Sequence, residues 1–104
     1  MNDKYTEIYV LKELLEQAEI PYQFSSRPFE GLPHIQIVYP NSENRRVSVI
    51  QGYGTYGAEK NLLEIMGLLT EAEQGHRSEV GWLSAENVFD RIAADYEKCK
   101  QIGG

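Results

Sequence analysis

VIQGYGTYGAEKNLLEIMGLL, residues 49–69, is the stretch on which the fold turns. Gly52, Gly54 and Gly57 have the spacing of a dinucleotide-binding loop, with an apolar run before them and helically spaced apolar residues after them. In such a loop one glycine permits the tight turn, one lets the backbone approach a pyrophosphate, and one lets helix and strand pack closely. That motif needs a parallel sheet. It also needs a second strand after the helix, ending in an acid about twenty residues past the first glycine to hold a ribose. Here that distance falls on Glu71 to Glu73, inside TEAEQG, which reads as a turn or a helix start. The strand before the loop belongs to a hairpin, so the sheet is of the other type.

Downstream of the glycines, Ala58, Leu62, Ile65, Met66 and Leu69 recur at helical intervals and predict a helix ending near Gly67 to Leu69. Thr70 to Glu73, TEAE, has the spacing of a capping box and predicts a further short turn. Upstream, RVSVIQ reads as a strand. HIQIVY alternates Ile35, Ile37 and Tyr39 with His34, Gln36 and Val38, and Tyr22 and Phe24 alternate with Gln23 and Ser25. Period two with aromatic and β-branched residues marks strands with one buried face. PNSENRR joins two of them as a hairpin, and short turns between successive strands require antiparallel pairing.

The chain opens with a helix from Asp3 to about Glu19, in which Tyr5, Ile8, Leu11, Leu14, Leu15 and Ala18 form one stripe. Asp3 serves as N-cap and Pro21 as terminator. The final helix starts at Ser84 as N-cap, with Leu83 and Val88 placed as a hydrophobic staple and Val88, Phe89, Ile92, Ala93 and Tyr96 on one face. Val80 to Leu83 reads as a short edge strand or an extended lead-in. The order α-β-β-β-α-(β)-α predicts an α+β two-layer domain: a three- to four-stranded, mainly antiparallel sheet against three helices.

A chain of 104 residues makes one domain, 1–104, with residues 101–104 expected to fray. It is too short for a full doubly wound sheet. Asn2, Asp3, Lys4 and Glu7 stand where a signal peptide needs a basic start and an apolar run, and no stretch reaches bilayer length, so a cytoplasmic protein without membrane contact is expected. One cysteine, Cys99, excludes an intramolecular disulfide, and with two scattered histidines no zinc spacing arises. A net charge of −6 disfavours direct nucleic-acid binding. The acidity fits solubility, docking on a basic protein surface, or mimicry of a nucleic acid.

The candidate site is the loop Gly52, Tyr53, Gly54, Thr55, Tyr56 and Gly57, with Arg45 and Arg46 at the other end of the same strand. Its structural reading is a sharp strand-to-helix turn with tyrosines packed over the sheet edge. Its functional reading is a recognition surface, in which amides at a helix N-terminus favour an anion and tyrosine rings offer stacking. His34 has no acid or nucleophile partner in the local sequence, His76 lies in a polar loop and is read as a surface histidine, and Cys99 extends the Ile92 and Tyr96 stripe, which favours packing. No catalytic motif is present: Lys60 is off the P-loop offset, and Gly103-Gly104 follows a helix rather than the last strand of a sulfur-carrier fold. No enzyme, cofactor or metal is expected.

SVIQGYGTYGAEKNLLEIMGLLTEAE followed by VGWLSAENVFDRI, Ser48 to Ile92, resembles a family of small proteins from phages and prophages of Gram-positive bacteria. The resemblance carries over no catalytic residue. It implies a setting in which small acidic proteins bind a host protein or sequester a host signal molecule, with an anti-defence or regulatory role. The expected function is therefore a non-catalytic accessory protein that binds a host or phage protein, with homodimer formation as a sub-case. The alternative is a small-ligand binder holding a nucleotide or cyclic nucleotide at residues 52–57.

Overall fold

The computed structural model describes residues 5–28, 34–52, 55, 60–75 and 79–103. In chain order these form α1 (Glu7–Gln17), β1 (Gln23–Ser26), β2 (His34–Tyr39), β3 (Val47–Gly52), β4 (Leu63–Met66), α2 (Glu71–Gln74), β5 (Glu79–Leu83) and α3 (Ala85–Gly103). The strands make one sheet in the order β1-β2-β3-β4-β5, each antiparallel to its neighbours. The fold is α+β, as the pattern predicts, with one strand more than the upper count expected. The helix start expected at Asp3 is corrected: α1 begins at Glu7 with Thr6 as its N-cap, and Asp3 itself, like the loop histidine His76, lies outside the described residues.

The helix expected over 58–69 is corrected: Leu63–Met66 is instead an interior strand between β3 and β5. Leu62, Ile65, Met66 and Leu69 fit a helical stripe, but a short apolar run fits a doubly buried strand equally well, and periodicity does not separate the two. The ends decide it. Asn61 has φ 58, Gly67 φ 110 and Leu68 φ 52, so the backbone leaves helical space on both sides of the run. Between them Leu63, Glu64 and Ile65 are all buried, which an inner strand of the sheet requires and one face of a surface helix does not.

The period-two segments fold as read. Ile35, Ile37, Tyr39, Val47, Val49, Leu63 and Ile65 form the floor of one core with Ile8, Leu11 and Leu15 of α1 and Ala85, Val88 and Ile92 of α3. α1 packs on α3 and on β2 and β3, and α3 also meets β4. Both long helices therefore cover the same face of the sheet. α1 closes with a Schellman motif: Glu19 takes φ 58, Ile20 N–H donates to the Leu15 carbonyl at 3.0 Å and Glu19 N–H to that of Glu16 at 3.1 Å, while the Ile20 side chain is buried. The helix thus stops ahead of Pro21. α3 runs through Gly103. Among the described residues no helix is long and apolar enough to cross a membrane.

The TEAE capping box forms. Glu73 N–H donates to the Thr70 hydroxyl at 3.3 Å, and Thr70 N–H to the Glu73 carboxylate at 2.8 Å. Arg91 of α3 adds a two-pronged pair to the same carboxylate, at 2.8 and 2.9 Å, and also donates to the Leu68 carbonyl. Arg91 chiefly, with the Thr70 amide, holds the Glu73 carboxyl down at about 2, against 4.5 for a free glutamate. A depressed carboxyl contributes stability that is present above pH 4.5 and is lost as pH falls towards 2. Arg91→Ala is expected to cost about 2 kcal/mol at neutral pH and much less at pH 2.5, measured by urea unfolding at each pH. An equal loss at both would detach Arg91 from Glu73.

Candidate functional site

Three regions bear on function: the end of the sheet where the glycine loop leaves β3, the opposite end where Arg46 sits, and the sheet face that no helix covers.

At the loop end, Gly52 is the last residue of β3, opposite His34. Gly52 N–H donates to the Thr55 hydroxyl at 3.1 Å, and both the Thr55 hydroxyl and its N–H donate back to the Gly52 carbonyl. Tyr53, Gly54, Tyr56 and Gly57 lie outside the described residues. The base of the loop is closed by a polar network. Gln51, fully buried, accepts from Ile8 N–H at 3.0 Å and donates to the Asn61 side-chain carbonyl at 2.8 Å. That same Asn61 oxygen accepts from Thr6 N–H at 2.8 Å and Glu7 N–H at 3.1 Å, while its amide donates to the Thr6 hydroxyl at 2.7 Å.

The N-cap Thr6 makes no side-chain cap of its own. The first amides of α1 are satisfied by two side chains from beyond the helix, and the Glu7 carboxylate accepts from Ala85 N–H, the first amide of α3, at 2.7 Å. This matters for the anion reading. The helix whose N-terminus was expected to follow the glycines is a strand at residues 63–66, and the helix amides that do converge on this end already have acceptors.

At the opposite end, Arg46 is separated from the loop by the length of β3. Its Nε and Nη2 grip Asp95 of α3, the closest approach being 2.5 Å. The Tyr39 hydroxyl donates to the same carboxylate at 3.0 Å, and Arg46 N–H donates to the Tyr39 carbonyl at 2.8 Å. The Arg46 guanidinium, with help from Tyr39, holds the buried Asp95 carboxyl below its ordinary range, and burial together with Asp95 pushes the Tyr39 phenol up. This cluster ties the β2–β3 hairpin to α3. Cys99, expected to pack, is exposed and approaches Asp95 at 3.8 Å. Arg45 is exposed on the hairpin.

The remaining face follows from register. One cross-strand row runs Gln23, Val38, Ser48, Met66, Glu79; the next runs Ser25, Gln36, Ile50, Glu64. These residues point away from the helices because their neighbours in each strand form the core floor. Gln36 donates to the Ser48 hydroxyl at 2.7 Å, and Ser48 and Glu64 lie low on the face, 3% and 8% exposed. Val38 and Ile50 are half-buried and Met66 is exposed, so three apolar residues surround Ser48, with Gln36 and Glu64 flanking Ile50. At the rim, β5 carries a bulge: Leu63 pairs with Leu83 and Ile65 with Val80, so Gly81 and Trp82 together oppose Glu64. Trp82 has φ 63 and is half exposed.

The strand alternation showed that residues 34, 36 and 38 share a face, but Met66 could join them only once residues 63–66 were known to be a strand. Trp82 lacked any signal, since a bulge leaves no trace in periodicity. No protein-family model matches the chain, and no curated protein or solved structure is significantly similar to it.

Proposed function

We propose that the chain is a non-catalytic, cytoplasmic accessory protein of phage type that binds a protein partner across the helix-free face of its sheet. The observation that supports this most is the distribution of apolar residues: Val38, Ile50 and Met66 surround Ser48 on a face that, among the described residues, no helix covers. Apolar residues interspersed with polar ones have the make-up of a non-obligate interface. Both sheet edges discourage the alternative route of strand addition. β1 has four residues between Pro21 and Pro28, and β5 is broken by its bulge. The net charge of −6 favours a basic partner surface.

The test is site-specific photo-crosslinking in a host cell. A photoreactive phenylalanine analogue at Ile50 is expected to yield a discrete adduct with another protein, and the same probe at Glu13 on α1 to yield none. Equal adducts at both sites, or none at Ile50, would contradict the reading.

A further inference from the structure

We propose that the β1 end of the helix-free face holds a small organic carboxylate, with the Arg27 guanidinium on its charge and Gln23 and Ser42 on a neutral oxygen at its far end. The site stands apart from the docking reading, since it uses neither Ile50 nor Met66.

The β1 ladder reaches one residue beyond the strand. Arg27 N–H donates to the His34 carbonyl at 3.0 Å, and Pro28 behind it biases Arg27 to extended backbone. The period of two therefore carries on, and Gln23, Ser25 and Arg27 stand on the same side of the strand. At the other end the β2–β3 hairpin folds against β1: Ser42 N–H donates to the Gln23 side-chain oxygen at 2.8 Å. Between the two ends lies an open cavity of about 480 Å³, whose walls are these four residues with Phe24, Gln36 and Val38. That size is within the range of small-molecule sites.

The lining is one-sided in its chemistry. A backbone N–H only donates, so Ser42 fixes the Gln23 oxygen towards itself and leaves the Gln23 amide nitrogen to donate into the cavity. Ser25 and Ser42 add hydroxyls, and Gln36 is held in place by the Ser48 hydroxyl at 2.7 Å. No carboxylate lines the cavity. Among the described residues the ion pairs engage Lys12, Arg46 and Arg91, and Arg27 enters none of them. A guanidinium without a counter-charge, set beside neutral donors, is completed by an anion.

Two quantities narrow the class. One guanidinium balances one negative charge, and a chain of net charge −6 supplies no wider positive field to hold a second. That favours a carboxylate over a phosphate monoester, whose charge is nearly twice as large. Residues 23 and 27 lie about 13 Å apart along an extended strand. A ligand that meets both has polar groups at opposite ends and an apolar body between them, against Val38.

The probe para-hydroxyphenylacetate has that form, and its amide and tyramine keep the skeleton while removing or inverting the charge. In proton–nitrogen correlation spectra of the isotopically labelled full chain, the carboxylate is expected to shift the Ser42 backbone amide and the Gln23 side-chain amide saturably. A dissociation constant of about 1 mM is expected for a ligand of this size, and binding at least about tenfold weaker for the amide and tyramine. Arg27→Gln should weaken binding about tenfold, while Lys98→Gln, which removes the same charge from an exposed position on α3, leaves it unchanged. Gln23→Glu keeps an oxygen for Ser42 N–H but replaces the donor with a carboxylate, and should also weaken binding about tenfold.

Absence of a saturable shift with para-hydroxyphenylacetate would overturn the site, and so would binding by Arg27→Gln within about twofold of the parent. A thermal midpoint lowered by more than about 4 °C in Arg27→Gln would assign the guanidinium to the fold and overturn it as well. Inorganic phosphate binding as tightly as the probe would overturn the carboxylate class, and an equal loss in Lys98→Gln would reduce the effect to net charge. None of these results touches the crosslinking at Ile50, which decides the docking face by itself.

Discussion

Gly67→Ala is expected to lower stability by about 4 kcal/mol, a large share of the total that a domain of this size commands. Gly67 turns the chain out of β4 at φ 110, a backbone conformation that residues with a Cβ rarely adopt. A Cβ there would stand 2.3 Å from the Arg46 carbonyl oxygen and 3.0 Å from the Val47 Cα. Both neighbours are backbone, so no side chain can swing aside, and β3 and β4 must separate at the point where they pair. The displacement would reach further, because Arg46 is the residue that holds Asp95 of α3. Urea unfolding measures the loss; a cost below about 1 kcal/mol would mean that Gly67 does not pass so close to β3.

Asn61→Ala carries the next largest effect, about 3 kcal/mol by the same measurement. The substitution removes the acceptor shared by Thr6, Glu7 and Gln51, strands the buried Gln51 amide, and leaves the first turn of α1 without two of its hydrogen bonds. It also puts alanine at φ 58, where asparagine is tolerated far better. Asn61→Gly separates the two causes, since glycine keeps the backbone conformation but not the hydrogen bonds. It should recover about 1 kcal/mol of the alanine loss. Equal losses for both would assign the whole effect to the network.

These two residues bracket the segment that sequence periodicity misassigns, and the reason is instructive. Strands with one covered face announce themselves: Ile35, Ile37 and Tyr39 alternate with His34, Gln36 and Val38, and burial follows the alternation residue by residue. β4 is buried at Leu63, Glu64 and Ile65, so its alternation is erased and its apolar residues fall at spacings that a helix also satisfies. The information lay in its ends, where Asn61 and Gly67 are the residue types best suited to positive φ. The capping box at Thr70 and the cap at Ser84 were legible because they are local: each bond joins residues three apart. The cap on α1 was not, since Asn61 and Gln51 reach it across more than forty positions.

The same contrast governs the site. Glycine spacing and tyrosine content drew attention to residues 52–57, whereas the helix-free face is a product of register among β1 to β5 and becomes visible only when the strands are set side by side. Ser48 and Met66 are neighbours in space through cross-strand pairing alone, eighteen positions apart in the chain. Arg46, grouped with the loop by its place on β3, is held by Asp95 at the far end of the sheet.

Everything proposed for the face depends on residues 63–66 being an interior antiparallel strand, and nuclear Overhauser contacts in the isotopically labelled protein test that directly. Contacts linking Ile65 to Val49 and to Val80, with strand-type carbon shifts across Leu63 to Met66, are the predicted result. Successive amide–amide contacts and Hα-to-amide contacts three residues apart through the same segment would show a helix there, and would contradict both the sheet order and the docking face built on it.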